Sequence, residues 1–183
     1  MHVLHVSICC PKSAEIKAVS EDEYVSLKKH AGVGDDGAYR LATLDAAICL
    51  YHIRRQSILE LAPPSMPAAE AEIWAAKLTR AGMERKLREL EIWVAERDDI
   101  VAGWGAIRDN LLEGLYTAPE FAGRGIGAGL LDRLERLMRE RGFPSVYLEA
   151  SPNARGFYLR RGYRATGPQT PQGAWPMVKE YFG

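Results

Sequence analysis

The chain has 183 residues, of which 47% are hydrophobic and 26% are charged, a composition typical of one globular domain with a buried core. Its 24 basic and 24 acidic side chains balance, so the overall charge gives no reason to expect a nucleic-acid partner. No stretch approaches the roughly eighteen apolar residues of a membrane span, and the opening residues MHVLHVSICC lack the basic start and long apolar run of a secretory signal. We therefore expect a soluble protein that does not associate with a membrane.

The first 38 residues are interpreted as an N-terminal extension. Alternation at Leu4, Val6 and Ile8 predicts a short strand, after which the segment becomes polar and ends in GDDG at positions 34–37. Three cysteines, at positions 9, 10 and 49, form no evident disulfide framework, because two are adjacent and one would be left over. This cysteine usage favours a reducing, cytoplasmic location.

The first half of the remaining domain, residues 39–183, begins with one strand and two helical stretches. A strand is predicted over 39–42, followed by a helix that Thr43 would cap and that would run towards Leu59. A second helical stretch follows Pro67, with an interruption expected at Gly82.

Three alternating runs come next and predict an antiparallel meander: 91–96, 100–107 and Leu111–Thr117. The later elements are a helix ending near Arg141, a strand at 145–149, a short helix at 153–161, and strands near 163–166 and 175–182. The order predicts a mixed α/β fold with a mostly antiparallel sheet of six to seven strands and helices on both faces.

A glycine-rich stretch, FAGRGIGAGL at positions 121–130, separates the meander from the next helix. Glycines leave backbone N–H groups open to an anion, and the free N–H groups at the start of the helix point to the same place. The stretch therefore predicts a phosphate cradle.

A dinucleotide-binding fold is the alternative interpretation of this stretch. Gly123, Gly125 and Ala128 fit G-x-G-x-x-A, and Glu149 follows at about the distance of a ribose-binding acid. However, antiparallel hairpins precede the loop, and only 34 residues (150–183) follow Glu149. Such a remainder is too short for the second half of a dinucleotide fold.

Two stretches, LEGLYTAPEFAGRGIGAGLL at 112–131 and LEASPNARGFYLRRGY at 148–163, resemble the acyl-CoA-binding core of the GCN5-related N-acetyltransferase (GNAT) superfamily. The family's loop reads Gln/Arg-x-x-Gly-x-Gly/Ala, and the chain departs from it only at Ala122, where Gln or Arg is usual. The family's second motif, Ala-x-x-Phe-Tyr-x-x-x-Gly-Phe/Tyr, is matched by Ala154, Phe157, Tyr158, Gly162 and Tyr163.

This resemblance implies acetyl-CoA as cosubstrate, an amine acceptor and no metal. The pyrophosphate would lie against Gly123, Arg124, Gly125, Ile126, Gly127 and Ala128. The pantetheine arm would pair with backbone groups of Leu115, Tyr116 and Thr117, on a strand that parts from its parallel neighbour. Ser151, Asn153 and Phe157 complete the implied cofactor site, and Tyr158 matches the family tyrosine that commonly protonates the departing thiolate.

Glu113 is the candidate base. An attacking amine must be neutral, yet an alkyl ammonium has a pKa near ~10.4, so a base is needed at neutral pH. Strand alternation would place Glu113 on an apolar face with Leu111, Leu115 and Thr117, a setting that raises the pKa of a carboxyl group. A glutamate that only reaches solvent from a strand end is the alternative.

We therefore expect an N-acetyltransferase in which a primary amine of a small molecule or peptide attacks acetyl-CoA directly. An acyl-CoA-binding sensor or interaction domain without turnover is the alternative. The identity of the acceptor is not encoded in any motif, and the oligomeric state is open, with a homodimer as one option.

Overall fold

The computed structural model describes residues 38–63 and 66–181. The strands are β1 (Ala38–Leu41), β2 (Glu91–Arg97), β3 (Ile100–Arg108), β4 (Leu111–Thr117), β5 (Ser145–Ala150), β6 (Arg164–Ala165) and β7 (Trp175–Glu180). The helices are α1 (Ala47–Leu61), α2 (Ala68–Ala76), α3 (Arg80–Glu89), α4 (Ile126–Glu140) and α5 (Pro152–Arg160). Short 3-10 turns, Leu44–Ala46 and Pro119–Phe121, precede α1 and the glycine-rich loop.

The strands form one sheet in the order β1-β2-β3-β4-β5-β7-β6. Every neighbouring pair is antiparallel except β4 and β5, which run parallel. The predicted fold class is thus confirmed.

Apolar clusters lie on both faces of the sheet. On one face α1 and α3 pack against β2 and β3 through Leu50, Ile53, Met83, Val94 and Trp104. On the other face α4 packs against β5 and β7 through Leu131, Leu134, Met138, Val146, Leu148 and Met177. Because successive strand residues point to opposite faces, the sheet separates the two clusters.

The helical region between β1 and β2 differs from the prediction in two details. The interruption expected at Gly82 is wrong: the break lies before α3, where Thr79 Oγ1 accepts a hydrogen bond from the Gly82 N–H at 3.0 Å. Gly82 is buried inside α3, and a Cβ at this position would stand only 3.0 Å from Leu78 Cδ1. Thr43 precedes a 3-10 turn, and its side chain makes no capping hydrogen bond.

A buried ionic cluster ties α4 to β7. Glu135 of α4 is 4% exposed, and its two carboxylate oxygens accept hydrogen bonds from the Tyr163 hydroxyl at 2.8 Å and from Lys179 Nζ at 2.6 Å. A buried carboxylate is tolerated only when it is paired in this way. The cluster fixes the helix whose N-terminus follows the glycine-rich loop.

None of the helices in the described part of the chain is long and apolar enough to cross a membrane. The predicted extension, with its strand at Leu4 to Ile8, lies outside the described residues apart from its last residue, Ala38. β1 begins at Ala38 and pairs with β2 from Ala38 opposite Glu96 to Leu41 opposite Trp93.

A chain shortened to begin at Gly34 should stay folded and bind coenzyme A, because it keeps all of β1 and every element of the sheet. Circular dichroism melts with and without coenzyme A would check this expectation. Insoluble product, or a melt without a cooperative transition, would show instead that residues 1–33 belong to the core or to a subunit interface.

Candidate active site

β4 and β5 stay paired over only two positions, Leu111 opposite Tyr147 and Leu112 opposite Leu148. Beyond them β4 continues to Thr117 and β5 to Ala150, with no pairing between the two strands in the described residues. The strands therefore open towards their C-terminal ends, as the sequence predicted. The edge of β4 that faces β5 keeps backbone N–H and C=O groups that an extended ligand can bind.

A β-bulge lies where the strands part. In the β3–β4 ladder Ala106 lies opposite Gly114 and Ile107 opposite Leu112, so Glu113 has no partner. An extra residue of this kind bends and twists its strand. The bend accounts for the loss of parallel pairing after Leu112.

The glycine-rich loop has the backbone that the cradle requires. Gly123 and Gly125 have φ angles of +73° and +83°, a region that favours glycine, and no atom lies within 4 Å of the place where a Cβ would stand on either residue. Gly125 is the residue before α4, so the free N–H groups of the first helical turn open onto the same exposed surface. This arrangement suits an anion.

The loop is held against β4 and β1. A Cβ on Gly127 would stand 3.2 Å from Thr117 Oγ1, so the end of β4 lies directly beside the start of α4. The Tyr39 hydroxyl lies against Gly129 in the same helical turn. Ile126 is buried with Ala102, so its side chain faces the core. The cradle and the open edge of β4 are therefore neighbours.

The surroundings of Glu113 differ from the predicted ones. Its carboxylate is 23% exposed and lies 3.9 Å from Lys86 Nζ of α3 and 3.5 Å from Arg108 Nε at the end of β3. Leu115 packs into the α4 side of the core instead. The expectation of an apolar setting for Glu113 is wrong, because the bulge interrupts the alternation on which it rested.

Tyr158 lies on α5 and is 6% exposed, with ring centres 5.1 Å from Phe157 and 5.4 Å from Tyr163. Burial, and to a smaller extent the charge of Tyr116, raise the pKa of the Tyr158 hydroxyl above its ordinary value, so it carries its proton at neutral pH. Tyr158 packs with the α4 side of the core and Tyr116 with the α1 side. The two tyrosines therefore belong to apolar clusters on opposite faces of the sheet.

Comparison of the sequence with known protein families identifies the family of this chain. Residues 62–179 match the sequence model of the family described as acetyltransferase (GNAT) domain, which covers more than half of the chain. The chain belongs to the GNAT acetyltransferase family. The match includes both motifs from which the resemblance was inferred. A search of curated proteins finds no significant match.

Solved acetyltransferase structures share the fold. A GCN5-related N-acetyltransferase from Rhodopseudomonas palustris has a TM-score of 0.75 at 24% identity, over 82% of this chain and 99% of its own. PaiA N-acetyltransferase from Thermoplasma acidophilum, solved in complex with coenzyme A, has a TM-score of 0.68 at 21% identity, over 80% and 99%. YncA from Salmonella typhimurium, solved with its cofactor acetyl-CoA, has a TM-score of 0.53 at 18% identity, over 80% and 94%.

The remaining predicted cofactor residues of this GNAT domain lie around the opening and the loop. Ser151 precedes α5 and donates its hydroxyl hydrogen bond to Asn153 Oδ1 at 2.7 Å. Phe157 is partly buried against the same core as Tyr158. The Arg124 guanidinium is exposed and lies 5.8 Å from the centre of the Phe121 ring, and Ala128 is partly buried in the first turn of α4.

Arg54 and Tyr116 are in contact beside the open part of β4, and the sequence did not predict this contact. Arg54 of α1 donates from Nη1 and Nη2 to the carbonyl oxygens of Ala75 and Trp74, each at 3.2 Å, and its guanidinium lies 5.7 Å from the centre of the Tyr116 ring. Tyr116 packs on Trp104 with ring centres 4.7 Å apart. Arg54 thereby joins α1, the end of α2 and the open strand. An arginine inside a helix carries no sequence signal for such a role.

Within residues 38–63 and 66–181, no group of three His, Cys, Asp or Glu side chains is placed to hold a metal ion. Cys49 is buried in the α1 side of the core.

Proposed function

We propose that this protein transfers an acetyl group from acetyl-CoA to a primary amine of a small molecule or peptide. One observation carries the proposal: the unpaired edge of β4 ends at Thr117, whose hydroxyl lies next to the glycine cradle at the start of α4. An elongated cofactor with a pyrophosphate at one end and an extended arm at the other matches that combination. Family membership supports the same conclusion.

Acetyl-CoA would bind with its pyrophosphate on the N–H groups around Gly125 and its pantetheine arm along Leu115, Tyr116 and Thr117. The arm would occupy the place that a parallel strand leaves open beyond Leu112. The thioester would then lie at the open end of the strand pair, where Tyr158 would face its sulfur. Backbone groups of β4 would stabilise the developing oxyanion, because their positions are fixed before reaction.

The amine would attack the thioester carbonyl, form a C–N bond and expel the thiolate of coenzyme A. Glu113 would accept the amine proton, directly or through water, and the Tyr158 hydroxyl would donate to the departing sulfur. The pKa of a thiol, near ~8.5, is lower than that of a tyrosine, near ~10. A tyrosine that has donated its proton must therefore take up another one. The acceptor loses two protons in all: Glu113 would take the first from the ammonium, and the second, released once the C–N bond has formed, would restore the Tyr158 hydroxyl.

A coenzyme A-binding module without turnover is the second candidate, and the surroundings of Glu113 favour it. Its carboxylate lies near two cations, Lys86 and Arg108, which would repel an incoming ammonium. The two candidates predict the same binding but different chemistry.

Release of coenzyme A, measured with a panel of amines, tests the proposal. The panel should include polyamines, amino acids, aminoglycosides, peptides with free N-termini and lysine peptides. Amine-dependent release at rates well above the hydrolysis of acetyl-CoA would support the transferase. Slow hydrolysis that no amine accelerates, in a protein that still binds acetyl-CoA, would support the binding module.

Glu113→Gln should lower the rate most near neutral pH, because the amide keeps the shape of the side chain but cannot accept a proton. The loss should shrink as the pH approaches the pKa of the acceptor, near ~10.4 for an alkyl amine, where neutral amine is plentiful. Glu89→Gln, at an exposed position of α3, is the matched control and should leave the profile unchanged. A pH profile that is only scaled down would assign Glu113 a positional role.

A further inference from the structure

The side of the opening that lies away from α4 carries an excess of positive charge around Glu113. Lys86 and Arg108 approach different oxygens of the Glu113 carboxylate, at 3.9 Å and 3.5 Å. These distances exceed the about 2.7–2.9 Å of a tight charge-assisted hydrogen bond. The side chains of Lys86 and Arg108 are 35% and 55% exposed. Both cations therefore retain hydrogen-bonding capacity for a ligand.

Arg54 adds a third cation to this side. It is held by the carbonyl oxygens of Trp74 and Ala75, and no carboxylate among the described residues forms an ion pair with it. The carbonyl groups satisfy two of its donors but do not cancel its charge. Its guanidinium lies near the ring of Tyr116, a residue on the part of β4 that is not paired with β5.

Two acids lie on this face of the sheet. Besides Glu113, Glu149 is exposed on β5, where its neighbours Leu148 and Ala150 are buried on the α4 side, so Glu149 points to the other face. At the Glu113 carboxylate itself, the two cations Lys86 and Arg108 leave one positive charge in excess.

We propose that the acceptor is an α-amino acid or a molecule with the same group, whose carboxylate binds Lys86 and Arg108 while its amine faces Glu113. The proposal rests on the acetyltransferase function proposed above. Because both cations lie within 4 Å of the carboxylate that would receive the proton, the amine and the anionic group of the acceptor must be separated by only a few ångströms. An α-amino acid meets this spacing. A polyamine would bring a second ammonium against the same two cations.

Matched acceptors test the proposal: each common amino acid, its carboxamide and its decarboxylated amine, assayed with acetyl-CoA. For the amino acid that reacts best, we expect kcat/KM to be about 10–100-fold higher than for its carboxamide. This is the effect expected from the loss of one charge-assisted contact. The decarboxylated amine should be no better than the carboxamide.

Lys86→Met and Arg108→Met should each raise KM for the amino acid about tenfold without changing KM for acetyl-CoA. The same variants should improve the reaction of the decarboxylated amine, because they remove a repelling charge. This opposite effect distinguishes recognition of the carboxylate from a general disturbance of Glu113. Arg88→Met, at an exposed position of α3, is the control and should behave like the parent.

Preference for the carboxamide or a polyamine, or parent-like KM for the acid in both Lys86→Met and Arg108→Met, would overturn this proposal alone. No turnover with any amine would overturn both this proposal and the proposed function. Thermal melts would show whether a variant has lost its fold. Because Lys86 lies on α3 and Arg108 on β3, one variant can still test the proposal if the other does not fold.

Discussion

Tyr158→Phe should lower the turnover number by about 10²–10⁴-fold if proton delivery to the thiolate limits the rate. The variant removes one hydroxyl and keeps the ring, which packs between Phe157 and Tyr163. The cradle around Gly125 is untouched, so the affinity for acetyl-CoA should stay nearly the same. Steady-state kinetics combined with a binding measurement would separate the two effects.

The chemistry of the leaving group gives a sharper test of the same variant. A donor with a more acidic thiol needs less help from a proton, so the loss caused by Tyr158→Phe should shrink with such a donor. Tyr147→Phe removes a hydroxyl from an exposed ring on β5 and should not alter this dependence. Equal losses for both donors, or a fully active variant, would assign Tyr158 a packing role.

The elements that surround the candidate cofactor site could be predicted because their signal is local. The conformation of the glycine-rich loop depends on residues that are adjacent in sequence, and Gly123 and Gly125 have the positive φ angles that only such residues adopt easily. The order of elements along the chain that argued against a dinucleotide fold also follows from short-range periodicity. These features therefore agree between the sequence and the structure.

The surroundings of Glu113 could not be predicted, because they depend on a bulge and on long-range contacts. One unpaired residue between Leu112 and Gly114 changes which face each later side chain takes. Lys86 is brought near Glu113 by the packing of α3, 27 positions away in sequence. Arg54 reaches Tyr116 from 62 positions away in sequence. Periodicity within one element carries no information about such neighbours.

Gly125→Val should abolish the stabilisation of the fold by acetyl-CoA. A ligand at about 100 times its dissociation constant stabilises the native state by about 2.7 kcal/mol, which for a domain of this size is a rise of about 5–10 °C in Tm. Valine would place a branched side chain in the open space next to the first turn of α4, where no atom now lies within 4 Å of the Cβ position. The pyrophosphate and this side chain cannot share that space.

Backbone strain alone would also lower the Tm of this variant, because Gly125 has a φ of +83° that a β-branched residue resists. Gly142→Val is the matched control: Gly142 has a φ of +85°, has equally open surroundings, and lies beyond the other end of α4. Without ligand, both variants should lose a similar amount of stability. With acetyl-CoA, only Gly142→Val should show the ligand-induced rise in Tm. A normal ligand-induced rise in Gly125→Val would show that the pyrophosphate binds elsewhere.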